Sequence, residues 1–242
     1  MSSLLTIDAQ ETPSASDTSV ASALHTVGLL VILVGAAAAM YFSADHMRAV
    51  EHPNRLMFYF TTMAWEWFLT AYVLFGVRHH GTSLVEVTGA RWKTAKDVFR
   101  DIGLALLFWM AALGILGVTS SLLHFGGSKQ SLSFLAPEGP AQIAAWLLVC
   151  VTAGFCEETI FRGYFQKQFI AWTKNEPVGI VLSAVIFGAC HIYQGPKAVV
   201  VITVYGLLFG ILAQWRKSMR PGMITHALHD AAGGLAVRFL PS

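Results

Sequence analysis

The sequence predicts an all-α fold, a polytopic transmembrane helix bundle of about seven helices, and three observations predict it. Of the 242 residues, 55% are hydrophobic. Only 12% are charged, against about 25% in an ordinary soluble domain. The mean hydropathy is +0.58, and the apolar residues gather into long runs between short polar stretches, as repeated membrane crossings require.

Residues 1–23 are rich in Ser, Thr and Ala, with Asp8, Glu11 and Asp17 and no Lys or Arg. A secretory signal opens on a positive segment, so a flexible tail is expected here, followed by an integral membrane domain over 24–242. Apolar runs then occupy 24–43, 56–77, 102–123, 141–168, 178–193, 198–214 and 223–240. A crossing needs roughly 20 residues, so the short fifth run and the polar seventh are expected to be tilted, interfacial or hidden inside the bundle. Pro140, Pro177, Pro196 and Pro221 each sit at the opening of a run, where the missing N–H of proline would have no helical partner anyway. Between the second and third runs, residues 84–101 mix charges with scattered apolar positions and suggest an amphipathic stretch on the membrane surface.

A net charge of +2 without any basic block argues against nucleic acid as a partner. Cys150, Cys156 and Cys190 lie in apolar runs without CxxC spacing, which speaks for buried small hydrophobes rather than disulfides or a zinc knot. With seven crossings, Arg78, Arg91, Lys93, Lys96, Arg100, Lys167, Lys174, Arg216, Lys217 and Arg220 fall on one side. Arg48, Arg55, Lys129, Lys197 and Arg238 fall on the other. The richer side is expected to be cytoplasmic, in a plasma (inner) membrane, with the N-terminus inside.

The stretch GFCEETIFRGYF, 154–165, places Glu157, Glu158 and Arg162 inside the fourth run. Such groups cost a few kcal/mol each in a membrane helix, so a functional role is the starting hypothesis. Glu158 and Arg162 are four apart with the acid first, the favourable order for a helical pair. Glu157 points about 100° away and has no cation nearby in sequence. His191 closes the fifth run, and His226 and Asp230 share a helix face in the seventh. Counted from the expected cytoplasmic ends at about 1.5 Å per residue, Glu157, His191, His226 and Asp230 all lie roughly 7–20 Å deep. One polar chamber fits that arithmetic. The chain has no GxSxG elbow, no HExxH and no Gly-rich phosphate loop. Water activation remains: a carboxylate takes a proton from water, one imidazole orients it, and a second donates to the developing oxyanion of a carbonyl, most simply a peptide bond.

The sequence here resembles the CAAX protease and bacteriocin-processing (CPBP, or Abi) family of intramembrane proteases, related to the type II CAAX prenyl endopeptidase. Glu157-Glu158-Thr-Ile-Phe-Arg162 matches its Glu-Glu-x-x-x-Arg motif, Phe187-Gly-Ala-Cys-His191 its Phe-x-x-x-His, and His226-Ala-Leu-His-Asp230 its His-x-x-x-Asn/Asp. Tyr205, Gly206 and Gly210 also look like the family, and the resemblance covers about 140–235, the expected protease core. It implies a membrane endopeptidase with Glu157 as general base and His191 holding the water. Glu158 and Arg162 would brace the helix, and His226 and position 230 would bind the oxyanion. The eukaryotic pattern has Asn at that last position. An ionised Asp230 cannot donate a hydrogen bond, which leaves three roles open: a protonated donor, an orienter of His226, or a metal ligand.

Glu157, His191, His226 and Asp230 are all legitimate zinc ligands. No metal is favoured, because the motifs hold no further acid to act as base if Glu157 were a ligand. The expected partners are membrane lipid and a peptide or protein substrate, C-terminally prenylated or a peptide precursor. Two other functions compete. A small transporter also needs intramembrane Glu, His and Asp, but no inverted repeat is present. A non-catalytic scaffold or bacteriocin-immunity protein would keep the fold and tolerate loss of Glu157. Glu66, midway along the second run, is expected to make a helix–helix hydrogen bond. His229 reads as a bystander beside His226, and Gly206 with Gly210 as a small-xxx-small packing pair.

Overall fold

A computed structural model describes residues 19–49, 54–89, 91–124 and 136–236. All regular structure in these residues is helical. We label the helices α1 (Ala23–Ala49), α2 (Arg55–His79), α3 (Leu84–Thr88), α4 (Ala95–Leu122), α5 (Gly139–Glu157), α6 (Gln166–Thr173), α7 (Glu176–Cys190), α8 (Pro196–Arg216) and α9 (Arg220–Ala236). Between α5 and α6 the chain runs without a break through a π-helical segment, Glu158–Phe165, so that Gly139–Thr173 is one rod.

Local chemistry explains the helix ends. Asn54 accepts from the Met57 N–H at 3.1 Å and opens α2, and Asn175 accepts from the Val178 N–H at 3.0 Å and opens α7. Thr94 and Asp97 close a reciprocal capping box, with the Thr94 hydroxyl oxygen 3.2 Å from the Asp97 N–H and the Asp97 carboxylate 3.1 Å from the Thr94 N–H. That cap starts α4 at Ala95, about two turns before the apolar run at 102. The stretch 84–101, expected to be one surface element, is therefore split between the five residues of α3 and the opening of α4. The fifth run ends as a helix at Cys190, and its last residues form a 3₁₀ turn, Ile192–Gln194.

Four helical stretches among the described residues are long and apolar enough to cross a bilayer: Ala23–Ser43, Ala95–Leu122, Gly139–Thr173 and Pro196–Arg216. Helix α7 has 15 residues, and α2 and α9 carry Glu66, His226 and Asp230. Large apolar side chains stand exposed in rows, among them Val31 and Val34 on α1, Leu107, Met110 and Val118 on α4, and Val151 on α5. Apolar surface of that extent suits lipid and not water. The chain is an integral membrane protein.

The rod Gly139–Thr173 is the centre of the bundle. All eight residues of its π segment are buried, polar and apolar alike. Phe161, Phe165 and Phe169 pack in sequence along it at centroid distances of 6.0 and 5.5 Å, and Phe187 of α7 meets Phe161 edge-on at 5.0 Å. Val73 and Val77 of α2, Val87 of α3 and Leu29 of α1 complete this core. On the opposite side of the rod, α9 approaches so closely that a Cβ on Gly154 would lie 2.6 Å from the Met223 carbonyl oxygen. Val20 and Ala21, within the stretch expected to be a tail, are buried against the rod. The Gln168 amide accepts from the Val20 N–H at 2.8 Å and donates to the Ala21 carbonyl at 3.0 Å. Residues 1–18 of the expected tail and 237–240 of the seventh run lie outside the described residues.

Replacing Gly154 by Val forces α9 off the rod, because the obstacle is backbone and cannot rotate away. Overpacking of this kind costs about 1–3 kcal/mol. The variant is expected to melt at a lower temperature than wild type in detergent, while Gly114→Val, at a position with open space around it, leaves the melting temperature unchanged.

Candidate functional site

The two glutamates of the fourth run straddle a change of helix type: Glu157 is the last residue of α5 and Glu158 the first of the π segment. Glu158 is fully buried. Its Oε1 accepts from Arg162 Nη1 at 2.8 Å and faces His226 Nδ1 at 3.1 Å. A carboxylate only accepts, so Nδ1 of His226 carries the proton and the ring is held with Nε2 turned the other way. There Nε2 meets Glu157 Oε2 at 3.5 Å and Asp230 Oδ2 at 3.6 Å. Three of the residues singled out from sequence, Glu157, Glu158 and Asp230, thus meet around the His226 imidazole, with Arg162 behind Glu158.

Arg162 has its own supports. Its Nη2 donates to the Gly206 carbonyl of α8 at 3.3 Å, and the guanidinium lies over the rings of Phe187 and Phe209 at 4.4 and 5.0 Å. Cation–π contact of this kind compensates in part for lost hydration. Four residues on, Gln166 Nε2 donates to the Gly210 carbonyl at 3.1 Å. Gly206 and Gly210 therefore do two things. They let α8 approach α7, where a Cβ on Gly206 would sit 3.1 Å from Ala184, and they present carbonyls to the rod.

Exposure separates the two acids. The Glu158 side chain is 1% exposed and the Glu157 side chain 19%, with Asp230 at 31%. Glu158 is enclosed with its partners, while Glu157 and Asp230 border open space.

His191 stands apart from this cluster. It is the C-cap of α7, and its Nδ1 bonds the Phe187 carbonyl at 2.8 Å. A carbonyl only accepts, so Nδ1 holds the proton and Nε2 is left with its lone pair. The Phe187 ring touches both imidazoles, with centroids 4.9 Å from His191 and 6.0 Å from His226. Among the described residues no hydrogen bond joins His191 to Glu157. The four residues named as zinc ligands supply no set of three: among the described residues no group of three His, Cys, Asp or Glu side chains is arranged to hold a metal ion.

Glu66 of α2 reaches the same region from the other side of the rod. It is buried, its Oε2 has no hydrogen-bond partner among the described residues, and it lies close enough to Glu157, His226 and Asp230 to interact with them electrostatically. The helix–helix hydrogen bond expected of it is not made by that oxygen. The sequence signal was its depth in an apolar run, which says that the group is unusual without saying what it faces. Tyr205 is a second neighbour, with its ring 6.3 Å from His226 and 4.7 Å from His229 and its hydroxyl buried without a hydrogen-bond partner among the described residues.

Family models match residues 139–232, in the family described as type II CAAX prenyl endopeptidase Rce1-like. That stretch holds all three motifs and excludes α1 to α4. No curated protein and no solved structure matched the chain.

Removing Arg162 leaves Glu158 charged, buried and served by His226 alone. Arg162→Met is expected to cost about 3–5 kcal/mol in unfolding free energy, and the double variant with Glu158→Gln less than that, since it buries no unpaired charge. Denaturant titration of the three proteins in one detergent checks the order.

Proposed function

We propose, from the match of residues 139–232 to the Rce1-like family of type II CAAX prenyl endopeptidases, that the chain is an intramembrane endopeptidase in which Glu157 activates the attacking water. The observation that carries the reading is the single His226 imidazole with Glu158 behind it and Glu157 and Asp230 in front. A ring fixed at Nδ1 by a buried carboxylate presents Nε2 at a constant position, as a pre-organised catalytic donor requires.

In the proposed reaction a water lies against Glu157, on the side where the site is open. Glu157 takes one proton as the water oxygen bonds to the carbonyl carbon of the substrate peptide. The carbonyl oxygen becomes an oxyanion. In this reading His226 is the doubly protonated imidazolium, each nitrogen facing carboxylate, so the oxyanion takes a hydrogen bond from Nε2–H while Nδ1–H still donates to Glu158. The C–N bond then breaks and the proton on Glu157 passes to the leaving amine. The carboxylate of Glu157 is restored and one water is consumed. Before attack, the Nε2 lone pair of His191 accepts a hydrogen bond from the second hydrogen of the water, which stays on the oxygen. Asp230, ionised, acts on His226 as an electrostatic partner, since it has no proton to give to the oxyanion.

The substrate proposed is a peptide whose C-terminus carries a prenylated cysteine. An isoprenoid partitions into lipid and brings the adjoining peptide to a site at this depth. The Lys/Arg count supports a reading in which the N-terminus lies on the cytoplasmic side of a plasma (inner) membrane.

Purified protein in lipid nanodiscs, given a farnesylated and an unmodified fluorogenic CAAX peptide, tests this. Cleavage of the farnesylated peptide is expected, with Glu157→Gln lowering kcat by about 10²–10⁴ at unchanged melting temperature. Full activity in Glu157→Gln would remove the mechanism and favour a scaffold. Dialysis against a chelator is expected to leave the rate unchanged. Glu66→Gln, which keeps the shape and replaces the carboxyl group by an amide, is expected to change kcat more than KM, because Glu66 lies beside the Glu157–His226 pair and not on the lipid-anchored part of the substrate.

A further inference from the structure

A cavity separate from the Glu157–His226 cluster lies between α3, the rod and the end of α8. Its volume is about 360 Å³, within the usual range of ligand sites. Arg162, Lys167 and Lys217 line it, with Glu86 the one acid. The Ser83 and Ser218 hydroxyls and the Gln166 and Gln214 amides add neutral donors. Gln166 is 2% exposed and its Oε1 has no hydrogen-bond partner among the described residues.

The cations are held in place. Lys167 Nζ donates to the Glu86 carbonyl, which fixes the ammonium on the cavity wall. Lys217 ends α8 in the left-handed conformation, φ 49°, and its Nζ lies 3.7 Å from Glu176 Oε1. A non-glycine residue pays for that backbone conformation. The Glu86 carboxylate is turned to the Ser83 N–H at 3.3 Å, in the cap of α3.

The depth of the cavity is marked independently. Trp215, two residues before Lys217, is 67% exposed, and Trp172, at the end of the rod, is 43% exposed. Exposed tryptophans at helix ends mark the headgroup level of a bilayer. Ile211 of α8 and Val85 of α3, the latter in the cavity lining, are exposed apolar groups beside it. An occupant with a negative head among Arg162, Lys167 and Lys217 therefore has apolar surface for a hydrocarbon tail next to it. The occupant is not the group being cleaved, because Glu157, His191, His226 and Asp230 are not part of the cavity's lining. We propose that the cavity binds the phosphodiester headgroup of an anionic phospholipid from the leaflet on this face. Basic pockets between helices at this level are suited to such headgroups.

The test is binding of fluorescent phosphatidylglycerol to the full chain in phosphatidylcholine nanodiscs. It reads binding alone, so it stands apart from the cleavage assay. Saturable binding is expected, about tenfold weaker in the double variant Lys167→Gln, Lys217→Gln, and unaltered in Lys93→Gln, Lys96→Gln, whose exposed lysines lie on the same face outside the cavity. Because Lys167 also ties down α3, Lys217→Gln alone is measured too, and a loss of about threefold is expected. Non-saturable binding, or equal loss in both double variants, would overturn the proposal in favour of a diffuse positive surface. Displacement by millimolar inorganic phosphate as effective as that by unlabelled phosphatidylglycerol would overturn it in favour of a soluble anion.

Discussion

The Oε1 atom of Glu158 receives Arg162 from one side and His226 from the other, and the rest of the bundle is arranged to permit this. A carboxylate enclosed by helices has no water to turn to, so each of its partners must come from protein. Arg162 comes from the same rod. His226 comes from α9, and it arrives only because Gly154 lets α9 close on the rod and Gly222 leaves room beside Glu158, where a Cβ would sit 3.1 Å from Oε2. Arg162 in turn needs the Gly206 carbonyl, which ties α8 to the same point. Three helices are thereby fixed relative to one another by one oxygen atom and the glycines around it.

The π segment explains how adjacent glutamates acquire opposite environments. In a regular α-helix Glu157 and Glu158 would differ only by rotation. Here the hydrogen-bonding pattern changes between them, and the wider turn that follows is enclosed on all sides, taking Glu158 with it. Glu157, on the α-helical side of the junction, keeps a partly open side chain. Single π turns inside α-helices are costly and are found mostly at functional sites.

Much of this was legible in the sequence. The apolar runs gave the helices, and the spacing of Glu158 with Arg162 and of His226 with Asp230 gave two contacts that depend on helix geometry alone. What the spacing could not carry is any contact between elements. The bond from His226 to Glu158 joins residues 68 apart in the chain, and no local pattern encodes it. The π segment was invisible because its residues also suit an α-helix. The opening of α4 at Ala95 was hidden because hydrophobicity begins at 102 while the capping chemistry begins at Thr94. Glu66 was noticed for its depth, but its direction depends on how α2 packs against the rod. The docking of Val20 and Ala21 was missed for a related reason: it is made by backbone groups, which every sequence has, and by one glutamine in a distant helix.

That last contact ties the start of α1 to the rod that also bears Glu157 and Glu158. Gln168 grips the chain as a neighbouring β-strand would, with one acceptor and one donor on consecutive peptide groups, so side-chain identity at 20 and 21 matters less than the presence of backbone there. A force applied to the chain ahead of Val20 is therefore felt at Gln168, about one and two-thirds turns from Arg162 at the π segment's centre if the rod is treated as uniform. An affinity handle joined at that point would tug on the innermost strut of the assembly rather than dangle from its rim.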